Sequence, residues 1–171
     1  MAACLRFSKR VWMSFADNGG HDARCIPNLQ IHRAVPGIIE CSLQIKDYNC
    51  QAAPFSIFCL ETVHGGLLLS LVDTVGSLAV ATRGLFMTGV STDISGTFLR
   101  PAGSVGQLLF AKGSVVGLGK TLAYTRIEFT DEAGKLVAFG SHTKFIASTL
   151  NHEKNLTFSA DGETVVGGKE E

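Results

Sequence analysis

The stretch VHGGLLLSLVDTVGSLAV, residues 63–80, holds two groups with chemical potential. His64-Gly65-Gly66 opens an apolar run of helical character, and Asp73 is the one carboxylate inside it. Two glycines at a helix start let a ligand come close to the backbone. The first N–H groups of a helix lack intrahelical acceptors and lie at the positive end of its dipole. A carbonyl oxygen that gains negative charge during a reaction is stabilised there. A carboxylate ionised at neutral pH can take a proton from water. One helix cannot bring the two groups together, because Asp73 lies two turns beyond Gly65, about 12 Å along the axis. Two copies packed antiparallel would set Asp73 of one beside Gly65 of the other, which makes a dimer-interface site.

Each residue also has a plainer reading. A lone buried Asp often only bonds neighbouring backbone, His64 suits a capping role better than that of a general base, and Gly-Gly occurs in many turns. The spacing by itself leaves these alternatives open.

The elements that must position these groups follow from periodicity. Residues 5–16 carry apolar positions at helical spacing (Leu5, Val11, Trp12, Phe15), and Asp17-Asn18-Gly19-Gly20 ends that helix. Residues 30–35 read as a short strand, Pro36-Gly37 as a turn, and 38–45 alternates as a strand does. Residues 63–81 form a long helix that is apolar on nearly every face, so it is expected to be buried all round. Four strands are expected at 89–98, 108–116, 121–129 and 135–145, arranged as a meander with a hairpin turn at 130–134. A fully apolar helix needs cover on every side, and a curved antiparallel sheet wrapped round it supplies that cover, an α+β arrangement. The sheet has two edges, and one of them pairing with a second copy would give a dimer. Three segments result: an N-terminal helix and lead-in at 1–27, the main domain at 28–147, and a polar tail at 148–171 that looks loose. Residues 50–60, CQAAPFSIFCL, are apolar, contain Pro54 and follow neither period.

Composition narrows the function classes. The chain has 171 residues, enough for one domain, and 46% of them are hydrophobic, which excludes global disorder. Basic and acidic residues number 15 each, and this balance argues against a nucleic-acid partner. The best candidate membrane span, 65–81, is short, contains Asp73 and holds three glycines, so no span is expected. Five cysteines, an odd number without a CxxC pair, argue against a disulfide framework or a zinc site and favour a reducing compartment. Arg6, Lys9 and Arg10 precede the first acid, Asp17. This is either the start of an organellar targeting helix or the first helix of the domain, and the short, serine-poor stretch favours the second. Cytosol and mitochondrion both fit.

HGGLLLSLVD at 64–73, GVSTDISGTFLRPA at 89–102 and GKTLAYTRIEFTDEAGKLVAFGSHTKF at 119–145 resemble the hotdog-fold acyl-CoA thioesterases. The likeness is greatest to the eukaryotic thioesterase superfamily member 2 group, which is related to the bacterial phenylacetate-pathway thioesterases, and it spans 28–145. The resemblance implies a hotdog fold that forms dimers and then homotetramers, with sites shared between protomers. It implies hydrolysis of acyl-CoA, medium- or long-chain fatty acyl-CoA first of all, to free acid and coenzyme A. By the same resemblance Asp73 activates water or attacks the thioester, the Gly65 N–H polarises the carbonyl, and Ser91 orients the water and the carboxylate. Phe98, Leu99, Arg100 and Pro101, with Leu118, Gly119, Lys120 and Thr121, line the coenzyme A groove. Arg100, Lys120 and Lys144 are candidates for its phosphates. No metal or redox cofactor is implied, coenzyme A being part of the substrate.

The chain departs from the family pattern in one important place. The family carries an asparagine six residues before the histidine, where this chain has Phe58, and the nearest asparagine is Asn49. Three accounts stay open: Asn49 serves if the residues after it loop out, the asparagine is absent and activity falls, or residues 50–60 derive from a faulty gene model. Smaller departures are Gly103, where a basic residue is usual, and Phe145, where a histidine is. The rival function is a catalytically impaired hotdog protein that binds acyl-CoA or acts as an interaction module. A hotdog dehydratase is weaker still, because no Asp/His pair of the hydratase kind is visible.

Overall fold

The computed structural model describes residues 1–51 and 62–169. Helix α1 spans Ala3–Asp17 and buries Cys4, Phe7, Val11 and Trp12; of the four apolar positions read from its spacing, Val11 and Trp12 are buried while Leu5 and Phe15 are only partly so. That face packs on the first strand and on the long helix, so α1 is an integral part of the domain core. A one-turn helix not read from the sequence, α2 (His21–Cys25), follows.

Strand β1 (Gln30–Val35) and β2 (Ile38–Gln44) form a hairpin over Pro36-Gly37. The long helix α3 runs Gly65–Ala81. Beyond it come β3 (Val90–Phe98), β4 (Leu108–Leu118), β5 (Leu122–Thr130) and β6 (Leu136–Phe145). These six strands make one antiparallel sheet in the order β1-β2-β4-β5-β6-β3, which packs its inner face on α3. Leu109, Ala111, Ile127, Phe129, Val137 and Ala138 join Leu68, Leu71, Val72, Val75 and Leu78 in that core.

The expected meander holds only for β4, β5 and β6. The connection after β3 contains Pro101 and is too long for a tight hairpin, so the chain crosses over. Strand β4 pairs with β2, and β3 pairs with β6 at the far edge. The other edge, β1, lies beside α1. Among the described residues no strand pairs with the outer edge of β3.

The segment after residue 148 is not the loose tail its polarity suggests. It forms a small hairpin of β7 (Thr157–Phe158) and β8 (Val165–Gly167). Leu156 is buried, and Phe158 meets Phe7 edge-to-face at 5.5 Å. Helix α1 has no side-chain N-cap. The tail caps it instead: the N–H groups of Ala3 and Cys4 donate to the carbonyls of Glu163 (3.2 Å) and Gly162 (2.9 Å). Backbone donors that need acceptors at a helix start therefore order the tail.

Among the described residues no helix is long and apolar enough to cross a membrane. Burial of α3 is also not complete all round. Gly66, Leu69, Ser70 and Asp73, at positions i, i+3, i+4 and i+7, leave an open stripe on its N-terminal half, while residues 74–81 are buried throughout.

Candidate functional site

Asp73 closes that open stripe, with its side chain 45% exposed. Beneath it the inner face of the sheet is polar where a core would normally be apolar. Alternation along β6 turns Ala138, Gly140, His142 and Lys144 toward α3. His142 is fully buried and Lys144 is 3% exposed. Room for the imidazole comes from Gly76 on α3: a Cβ there would stand 2.6 Å from His142 Nδ1.

Ser91 reaches the same face through a β-bulge. Ser91 pairs with Lys144 and Asp93 pairs with Thr143, so Thr92 is the extra residue. In an unbroken ladder Thr92 would stand opposite Lys144 and Ser91 would point outward. The extra residue reverses that, re-aiming the serine as bulges do.

The result is a hydrogen-bonded cluster around one carboxylate oxygen. Ser91 Oγ donates to Asp73 Oδ1 at 3.2 Å, and Ser77 Oγ donates to it at 3.4 Å. His142 Nε2 lies 3.5 Å and Lys144 Nζ 3.9 Å from the same atom. Among the described residues no donor meets Oδ2. His142 Nε2 is also 2.9 Å from Ser91 Oγ. Because Ser91 spends its one hydrogen on Asp73, the ring proton sits on Nε2 and is donated to Ser91. Nδ1 is left as a buried lone pair without a partner. Lys144 Nζ donates to Ser77 Oγ at 2.7 Å.

Burial, and after it the Lys144 charge, push the His142 pKa down from 6.5 to about 4 against the opposing pull of Asp73. His142 therefore stands beside Asp73 as a neutral ring at physiological pH. Burial likewise pushes Lys144 below the ordinary lysine range, opposed by Asp73 and Asp22. Lys144, a candidate for coenzyme phosphates in the sequence, is buried in the protomer with Nζ turned toward Asp73. His142 was not singled out at all, and the Asp73–His142 pair that the sequence did not reveal is present. The available signal was the spacing in SHTKF, two polar residues on the inward face of a strand.

The other end of the stripe is the start of α3. His64 is its N-cap, with Nδ1 accepting from the Gly66 N–H at 2.9 Å, which agrees with the capping reading. Leu67 and Leu68 donate to the His64 carbonyl. Gly65 is left as the first helical residue, with no acceptor for its N–H among the described residues. The Phe98 ring covers it, 3.4 Å from where a Cβ would stand.

Asn49 comes close to this end. Its carbonyl accepts from the His64 N–H at 2.9 Å, its Oδ1 accepts from the Lys46 N–H, and its Nδ2 donates to the Cys25 carbonyl. One amide hydrogen stays uncommitted. A cleft of about 530 Å³ lies here, lined by His21, Cys25, Asn49, His64, Gly66 and Ser70 among others. Phe58, and the question whether 50–60 is a true insertion, lie outside the described residues from 52 onward.

The two halves of the expected coenzyme groove are not neighbours within a protomer. Phe98 pairs with Ala138, whereas Val90 and Leu122 both pair with Phe145. Residues 98–101 and 118–121 therefore sit at opposite ends of the sheet, about 27 Å apart along β3. Arg100 and Lys120 are both exposed.

The family model of the thioesterase superfamily matches residues 60–138. An esterase-named protein of Schizosaccharomyces pombe is 36% identical over 151 residues, 88% of this chain and 89% of that one. Human acyl-coenzyme A thioesterase 13 is 32% identical over 126 residues, 73% of this chain and 84% of that protein. Zebrafish thioesterase superfamily member 2 superposes with a TM-score of 0.71 at 29% identity, covering 82% of this chain and 96% of that one.

Proposed function

The chain belongs to the thioesterase superfamily, and from that footing we propose that the thioesters it hydrolyses are acyl-CoAs, medium- or long-chain fatty acyl-CoAs foremost. The name of the human relative supports the coenzyme A part of this reading. Leu69 on α3 and Ile94 and Phe98 on β3 leave apolar side chains exposed, which supports an apolar acyl group.

The observation that carries the mechanism is the way Asp73 is held. Oδ1 is engaged by four neighbours while no donor among the described residues meets Oδ2, the arrangement of a general base with one oxygen kept for water. Asp73 takes a proton from water as its oxygen bonds to the thioester carbon. Ser91 retains a lone pair that can accept the water's other hydrogen. The carbonyl oxygen, now negative, is stabilised by the Gly65 N–H and the positive end of α3. Collapse of the tetrahedral species breaks the C–S bond, and the proton on Asp73 passes to the departing sulfur. A thioester lacks strong amide-type resonance, so this modest activation suffices.

The Gly65 N–H belongs to a second copy in this reading. Antiparallel pairing of two β3 edges by a two-fold axis sets each Asp73 toward the partner's α3 start. It also brings residues 98–101 of one copy to residues 118–121 of the other, so that Arg100 and Lys120 can flank one coenzyme. Free edges, the open α3 stripe and the divided groove all support such a homodimer, and pairs of dimers would give the tetramer.

The test is thiol release from a panel of acyl-CoAs, short to long and aromatic, with Asp73→Asn beside the wild type. We expect turnover on fatty acyl-CoAs and a fall of about 10²–10⁴-fold in the variant. A wild-type oligomer that binds coenzyme A but releases no thiol would replace the enzyme reading with an acyl-CoA-binding one.

A further inference from the structure

Lys144 presents an unusual expense. A lysine ammonium that is 3% exposed loses its hydration, and a methionine of similar length would fill the space without that cost. The packing of β6 against α3 does not require the charge. The two atoms within reach of it are Ser77 Oγ at 2.7 Å and Asp73 Oδ1 at 3.9 Å. Ser77 is itself one turn beyond Asp73 on α3 and donates to the same Oδ1. The cation therefore acts on Asp73 by two routes, through space and through the serine hydroxyl it polarises.

We propose that Lys144 is a positioning residue for hydrolysis: it anchors Asp73 by Oδ1, directly and through Ser77, so that Oδ2 is the oxygen presented to water. The proposal rests on Asp73 being the base. Ser91 and His142 hold the same oxygen from the other side, but both are neutral, so Lys144 supplies the only positive charge in the cluster of described residues. The charged and titratable groups around it are Asp73 on α3, Asp22 on α2, and His142 on its own strand, with Asp93 on β3 acting on His142. Asp22 is engaged by the Thr74 hydroxyl at 2.7 Å, which keeps that second carboxylate beside α3. The net field at Asp73 is that of one cation shared between two carboxylates.

The test compares Lys144→Met, Lys144→Arg and Ser77→Ala with the wild type, by acyl-CoA turnover across pH and by carbon-13 carboxyl NMR titration of Asp73. Lys144→Met should lower kcat by about 10- to 100-fold with little change in KM. Its acid limb should move to higher pH, because a cation beside the base is lost. Lys144→Arg should keep the wild-type titration, and Ser77→Ala should lower kcat less while moving the limb in the same direction. Thermal melting of Lys144→Met should be unchanged or raised, since a desolvated charge is removed. A methionine variant with wild-type kcat and an unmoved Asp73 titration would overturn the proposal. The NMR arm keeps the two readings apart: an enzyme inactive on every acyl-CoA refutes the substrate reading, while the carboxyl titration still decides whether Lys144 acts on Asp73.

Discussion

Gly65 and Asp73 lie on one face of one helix, yet their surroundings are opposites. Asp73 rests on a buried floor of four side chains from three elements, all directed at a single oxygen. Gly65 has no acceptor for its N–H among the described residues and one aromatic ring above it. A carboxylate needs its donors from the same chain, because buried partners must be fixed by packing before they can orient it. An oxyanion donor needs the reverse, a free N–H that points at an empty place until substrate arrives. Within a protomer the held carboxylate and the start of α3 stand two turns apart, and the proposed mechanism needs a second copy to bring Asp73 and Gly65 together.

The sharpest way to break this comparison is to remove the donor alone. Proline is tolerated at the first helical position and has no N–H, and His64 already has the extended backbone that precedes proline. Gly65→Pro should therefore fold and lose about 10²–10³-fold in kcat. Co-expression with Asp73→Asn should recover part of the activity in mixed dimers, since one of the two sites then has both groups. Wild-type turnover in the proline variant would remove Gly65 from the mechanism, and mixed dimers as inactive as their parents would place the site within one protomer.

Gly76→Ala attacks the floor instead. Its methyl would lie 2.6 Å from His142 Nδ1 and 2.9 Å from Thr125 Oγ1, so the imidazole must shift. We expect a loss of about 1–3 kcal/mol in unfolding free energy, measured by urea titration, together with reduced turnover. A variant as stable as the wild type would show that the helix and strand part more easily than their contacts suggest.

A further test concerns the neutral state of His142. The unfolded chain binds a proton on this ring from about pH 6.5, the folded protein only at about 4. Stability should fall as pH drops from 6.5 toward 4 and then level off, because the unfolded state gains the proton first. His142→Gln should flatten the stability curve within that window alone. Parallel curves for variant and wild type would mean that the ring titrates normally and pairs with Asp73 as a cation.

Much of the fold was legible in the chain. Strand alternation set β1, β2 and β4 to β6 close to their true bounds, and the apolar run with His-Gly-Gly at its head marked α3 to within two residues. The resemblance marked Asp73, Gly65 and Ser91 in advance. His142, and the place of Lys144 beside Asp73, were hidden because the value of a polar residue on a strand depends on what lies under its inner face. The tail was misjudged because its order comes from the unsatisfied N–H groups of a helix about 160 residues away in sequence.

By itself the sequence determined local periods: where the chain is helix or strand, which face of each is apolar, and that one carboxylate is placed in an apolar helix. These are short-range matters of side-chain spacing and backbone sterics. Tertiary structure decided the rest. The crossover that carries β3 to the edge depends on β4 pairing with β2 and β3 pairing with β6. The bulge that turns Ser91 inward depends on how β3 registers against β6. The choice of Oδ1 as the held oxygen depends on donors from α3, β3 and β6 meeting at one point. Such outcomes turn on contacts between residues distant in the chain, and periodicity carries no record of them.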